Sequence, residues 1–188
     1  MAEKTKKVGE IFSDYKRKSN IQYANIIELN VIKKTNTLEV KLAFDEYIEI
    51  KEIWYFEKFL KERFQFEKVN IKIQYHESVK PKPIQEEWKN IIAYMAHKHP
   101  LTRPMLLLKS DIEIKENTIL VKMHIRGADF LRARKTDKEL ENMLQNLYGI
   151  SYHVELKEEI STKQLKEIQE NIKKEEEKII NEIETKQK

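Results

Sequence analysis

The feature that most constrains this chain is a stretch it contains twice. Asn36-Thr37-Leu38-Glu39-Val40-Lys41-Leu42 returns 81 residues later as Asn117-Thr118-Ile119-Leu120-Val121-Lys122-Met123. The same offset carries Val69, Ile71, Ile73 and Tyr75 onto Ile150, Tyr152, Val154 and Leu156. Apolar residues alternating with polar ones mark a strand with one buried face. Each copy therefore reads as a β-hairpin, a helix and a closing strand, and the fold class is α+β. The expected division is a first ββαβ unit with a leading helix over residues 1–78, a second αββαβ unit over 84–158, and a charged helical linker over 159–188.

Hydrophobic residues make up 40% of the 188-residue chain, enough for a packed core. No apolar run approaches the roughly eighteen residues of a membrane span, and no signal peptide opens the sequence. With no cysteine there is no disulfide framework and no thiolate metal site. A cytoplasmic protein without membrane contact, monomeric as it stands here, is the expectation. The net charge of +4 with 36% charged residues resembles a nucleic-acid-binding balance. Acids and bases are interleaved, however, and abundant lysine, glutamate, isoleucine and asparagine also arise from AT-rich coding, so the balance alone indicates a solvated surface.

In chain order, Val8, Ile11, Phe12 and Tyr15 fall at helical spacing and predict a short amphipathic helix. Ile27, Leu29 and Val31 alternate with Glu28 and Asn30, and the return strand carries Leu38, Val40 and Leu42. Asn36 suits the turn because asparagine tolerates positive φ. Ile53, Phe56, Leu60 and Phe64 mark one helix face. Trp54 lies about 100° round from it, and Tyr55 and Phe59 share another flank. Such off-stripe aromatics either cover a second packing surface or anchor a partner protein. Pro81 and Pro83 hold the chain extended and form the seam between the units.

Beyond the seam, Ile84, Trp88, Ile91, Ile92 and Met95 form a broad helical stripe with Trp88 in the core. Pro100 and Pro104 shape a tight connection around Leu101, which is expected to be partly exposed. Ile112 and Ile114, a turn at Glu116-Asn117, then Ile119, Val121, Met123 and Ile125 predict the second hairpin. Phe130 and Leu131 begin a helical stretch, and Thr136 with Glu139 forms a capping box for a further helix bearing Leu140, Met143, Leu144 and Leu147. Gly149 is the expected stop. In the tail, Ser161 and Gln164 suggest another cap, and Leu165, Ile168, Ile172, Ile179 and Ile183 trace a thin seam that Glu175 and Glu176 interrupt. A solvated linker is favoured there over a dimerisation helix.

Catalytic chemistry finds little support. Gly9, Gly127 and Gly149 cannot build a phosphate-binding loop, and the five aspartates are scattered. His97 and His99 are two apart on a helix and face different ways, while His124 and His153 sit on the polar faces of strands. One basic cluster, Arg126, Arg132, Arg134 and Lys135, lies at a helix start where amides could assist a phosphate contact. A KH-type grip on a nucleic-acid backbone wants a GXXG loop. Gly127-Ala128-Asp129-Phe130 lacks the second glycine and adds an acid.

Several strings, in their order and spacing, resemble one family. They are Phe12-Ser13-Asp14-Tyr15, Lys33-Lys34-Thr35-Asn36-Thr37-Leu38-Glu39-Val40, Leu60-Lys61-Glu62-Arg63-Phe64 and Glu86-Glu87-Trp88-Lys89-Asn90-Ile91-Ile92-Ala93-Tyr94. The family is the N-terminal region of the PolC-type DNA polymerase III α subunit of low-GC Gram-positive bacteria, and the likeness runs from about Val8 to Leu156. It implies that the OB-fold, PHP, exonuclease and polymerase domains, with their magnesium-binding aspartates, lie elsewhere, so no cofactor is expected here. It also implies that the second unit is KH-like, similar to domain I of DnaA and domain V of the clamp-loader tau subunit. The implied function is a non-catalytic interaction module that docks the polymerase to a replisome partner, tau being the first candidate, through Trp54, Tyr55, Phe59 and Leu101. The alternative is an accessory module for single-stranded or primed DNA that uses Arg126, Arg132, Arg134 and Lys135.

Overall fold

In the computed structural model, residues 6–160, 166 and 169–178 are described. The first half contains β1 (Lys6–Lys7), α1 (Val8–Ile11), β2 (Asn25–Ile32), β3 (Thr37–Phe44), α2 (Ile50–Phe64) and β4 (Lys68–Tyr75). The second contains α3 (Ile84–Lys98), β5 (Ser110–Lys115), β6 (Thr118–Met123), α4 (Ala128–Ala133), α5 (Thr136–Tyr148) and β7 (His153–Glu158). The fold is α+β with two small sheets.

The two sheets repeat one wiring. In the first, the order is β1-β2-β3-β4, with β2 antiparallel and β4 parallel to β3. In the second, the order is β5-β6-β7, with β5 antiparallel and β7 parallel to β6. A parallel neighbour requires a crossover, and helices supply it in both halves. The repeat is not uniform in length. Leu38 lies opposite Val69, and its counterpart Ile119 lies opposite Val154, so the closing strands are 85 residues apart rather than 81. Ile150 and Tyr152 therefore precede β7 and are not its first inward residues; α4 adds helix to the second crossover that the first one lacks.

Turn chemistry follows the sequence closely at two points. Asn36 takes φ 45° to close the first hairpin, and Gly149 takes φ 70° at the end of α5, its amide bonding the Gln145 carbonyl. It departs at a third. Lys135, not Thr136, caps α5, because the buried Thr136 hydroxyl donates to the Thr102 carbonyl at 2.6 Å. A tertiary acceptor has outcompeted the local capping box. The N-terminal helix is also shorter than its spacing predicts. It stops at Ile11, although Val8, Phe12 and Tyr15 are all buried. The tail residues Leu165, Ile168, Ile179 and Ile183, with the Ser161/Gln164 cap, lie outside the described residues, and Ile172 is exposed.

Alternate residues of β3 and β4 point inward: Leu38, Val40, Leu42 and Phe44 beside Val69, Ile71 and Ile73. Ile53, Phe56 and Leu60 of α2 are buried with them, while Phe64, at the end of the same stripe, is 45% exposed. β2 departs further from expectation. A bulge at Ile27 interrupts the ladder, and Leu29 and Val31 stay exposed although they face the same side as the buried Val40 and Leu38. In the second half Trp88 is buried, its indole N–H bonded to the Leu107 carbonyl at 3.2 Å.

The buried side chains of both halves form one continuous cluster. A polar network crosses the same boundary. The Glu57 carboxylate of α2 accepts a 2.5 Å bond from the Tyr94 hydroxyl and a 3.0 Å bond from the Lys98 ammonium, both on α3. Lys98 also reaches the Val69 carbonyl of β4 at 3.2 Å. Burial holds the Tyr94 phenol well above its usual range, so it remains a donor. Hydrogen bonds to charged groups contribute about 1.5–3 kcal/mol each. Tyr94→Phe should therefore cost roughly 2 kcal/mol, a fall of about 4–8 °C in a thermal melt followed by circular dichroism.

Candidate functional site

The candidate residues fall into three places. On α2, Trp54 meets the His97 ring of α3 edge-on at 4.1 Å between centroids and stacks on Tyr55 at 5.1 Å. Tyr55 lies beneath the Arg17 guanidinium, 3.8 Å from its ring centre, and Arg17 makes two 2.9 Å bonds to Glu52. Phe59 belongs to an aromatic group, 5.0 Å from Tyr15 and 6.1 Å from Phe56. These three side chains thus do substantial internal packing, with Tyr55 the most exposed of them. Phe59→Ala should lower stability by about 2 kcal/mol or more, whereas Tyr55→Ala should cost under about 1 kcal/mol. Urea unfolding of the two variants measures the difference.

The second place joins residues that the sequence assigns to different roles. Leu101 sits on a 3-10 turn between Pro100 and Pro104, and it is 78% exposed. Its carbonyl accepts a 2.7 Å bond from the Arg134 guanidinium, which also lies 4.6 Å above the Phe130 ring. The neighbouring Thr102 carbonyl is held by Thr136, and Arg103 closes the turn at φ 54°. Phe130, which the sequence reading did not assign to a surface, is 43% exposed. The available signal was an aromatic set among charged residues, between Asp129 and the pair Arg132 and Arg134.

The third place is the start of α4. The Glu158 carboxylate accepts the Gly127 and Ala128 amides at 2.7 and 2.9 Å. Those bonds hold its pKa below the usual carboxylate range. Arg132 binds Asp129 at 2.6 Å and also the Leu156 carbonyl. Arg126 and Lys135 are exposed. The structure therefore brings Arg134 to Leu101, ties Arg132 into β7, and leaves Arg126 and Lys135 outward.

Other titratable groups are paired locally. His124 bonds Asp111 at 2.8 Å and His153 bonds Glu141 at 3.0 Å. No group of three or more histidine or acidic side chains among the described residues is placed to hold a metal. No helix among them is long and apolar enough to cross a membrane.

A model described as DNA polymerase III polC-type N-terminus I matches residues 7–75, and one described as N-terminus II matches residues 86–188. The chain belongs to the PolC-type DNA polymerase III N-terminal family. No individual curated protein matches it. The two matched PolC models are N-terminal segments, distinct from the polymerase and exonuclease domains, so these residues are a non-catalytic part of the polymerase.

Within this PolC region, His99 gives the fold a pH signature. It lies 3.4 Å from Glu139. Burial lowers its pKa below the histidine norm; Glu139 and Glu57 oppose that shift, while Lys98 and Lys68 reinforce it. The native state then resists a proton that the unfolded state takes up below pH about 6.5. His99 should thus subtract stability as pH falls from about 6.5 through its folded pKa. Denaturation midpoints from pH 7.5 to 5 should decline less steeply in His99→Gln than in the parent.

Proposed function

We propose that this region docks the polymerase to another replisome protein, with the clamp-loader tau subunit as the first candidate. The observation that carries this reading is the presentation of Leu101. An apolar side chain left 78% in water gains nothing for the fold. Its backbone is nevertheless fixed, by Arg134 at its own carbonyl and by Thr136 at the next. A surface ordered in advance avoids the entropy of ordering it on binding. Phe130 and Arg134 add an aromatic and an arginine, residue types that dominate interface energetics.

The DNA reading has weaker support. The α4 amides that would receive a phosphate already receive Glu158, and the exposed Asp129 would repel one. Arg132 and Arg134 each have acceptors within the protein.

Titration calorimetry of the purified region against purified tau subunit tests the proposal. Leu101→Ala should weaken binding about tenfold or more, a loss of about 1.4 kcal/mol, while shifting the melt by less than about 2 °C. Arg134→Ala should weaken it similarly. Tau binding indifferent to both changes would remove this surface, and no binding would remove tau. Binding to a single-stranded oligonucleotide that falls steeply with salt would favour the alternative.

A further inference from the structure

Charge that is interleaved along most of the chain separates at one surface. The connection 100–109 carries Arg103 and Lys109 and no acid, and residues 124–136 carry Arg126, Arg132, Arg134 and Lys135 with the single acid Asp129. Hydrogen bonds join the two stretches at three points. The Leu101 carbonyl accepts from Arg134, the Thr102 carbonyl from Thr136, and the Lys109 carbonyl from the His124 amide at 3.2 Å. Six cations against one acid give this surface a net +5, more than the +4 of the whole chain. Neighbouring acids are turned elsewhere: Glu158 holds the α4 amides, Glu139 lies against His99, and Asp137 shares a cleft with His153 of β7.

Apolar side chains stand within that field. Leu101, Met105 and Phe130 are 78%, 53% and 43% exposed. The connection that carries the first two is anchored beneath by the buried Pro104 and Leu107, and the Leu107 carbonyl accepts the Trp88 indole N–H. Two of the cations stand at unusual backbone positions. Arg103 and Lys135, next to Thr102 and Thr136 respectively, take φ 54° and 58°. Left-handed backbone favours glycine or asparagine, so a long cationic side chain there does nothing for the fold. We propose that this surface takes an acidic segment of a partner protein, one whose carboxylates are interspersed with apolar side chains. The inference rests on the docking reading in that it takes Leu101 for a contact, but it does not depend on tau. Arginine meets a carboxylate with paired N–H donors, and Leu101 and Met105 offer aliphatic and thioether contacts to apolar side chains. A nucleic-acid strand fits less well. Its bases need aromatic faces, Leu101 and Met105 have none, and the Arg134 guanidinium lies 4.6 Å over the Phe130 ring. The positive field also disfavours a second copy of the same surface.

The probe is a synthetic peptide with leucines at helical spacing among glutamates, labelled for fluorescence anisotropy and titrated with the full chain. Two twins separate the contributions, one with lysine for every glutamate and one with serine for every leucine. The parent peptide should bind at least about tenfold tighter than either twin, with an affinity that falls as salt rises. Arg103→Asn with Lys135→Asn installs residues that accept positive φ, so the melt should hold while peptide affinity falls about tenfold. Arg126→Gln, away from both turns, should weaken binding in the same direction, and so should Leu101→Ala. A loss with Leu101→Ala but equal binding of parent and lysine twin would overturn this inference and leave the docking surface standing. Charge-dependent binding indifferent to Leu101→Ala would remove both. No binding, or tighter capture of a single-stranded oligonucleotide or of phosphatidylglycerol vesicles, would also overturn it.

Discussion

The part-buried carboxylate of Glu57 governs how the two halves are joined. A charge removed from water is costly unless its lone pairs are filled, and here an α3 hydroxyl and an α3 ammonium fill them. The arrangement is directional in a way that apolar contact is not. Sliding α3 along α2 would preserve much of the hydrophobic burial but would leave Glu57 and Lys98 desolvated and unpaired. The extra bond from Lys98 to the Val69 carbonyl extends the constraint to β4. Apolar packing thus supplies cohesion, and this one network supplies registration.

With the halves registered, Trp54 meets His97, and α5 lies against β4. Both contacts draw on side chains that a single isolated half would expose. This is why off-stripe aromatics on α2 are ambiguous in the sequence. Helical spacing places Trp54 off the main face, but whether that second face meets solvent, a partner or another part of the same chain depends on contacts more than forty residues away.

Much of the fold was legible because it is local. Period-two alternation in β3, β4, β6 and β7, the prolines before α3, Asn36 in its turn and Gly149 after α5 each report a backbone requirement that neighbouring residues define. The failures share a cause as well. Thr136 had a good local partner in Glu139 and took a distant one in Thr102. Leu29 and Val31 alternate correctly yet remain exposed, because alternation fixes the face a residue points to and not what lies over that face. The four-residue slip of the closing strand is invisible to a repeat read by offset, since shifting by an even number preserves the alternation. The candidate site was legible only in parts. Leu101 stood out by its prolines and Arg134 by its charge, but only the fold makes the guanidinium hold the leucine's backbone.

That contact changes how charge should be read in this region. A cation beside a helix start suggests an anion, and a run of arginines suggests a phosphate backbone. Here Glu158 provides the anion internally, and Arg134 is used as a rigid strut with one face on Phe130. Many other carboxylates are likewise engaged: Glu52 by Arg17, Asp14 by Arg63, Glu113 by Lys122, Glu141 by Lys138. High charge content in such a chain is largely a means of fastening surface segments. Leu101 is a group of another kind, an apolar side chain 78% exposed on a turn whose carbonyls Arg134 and Thr136 hold. Water solvates a spare lysine at no cost, whereas a spare leucine held rigid in water is stabilised only when something covers it.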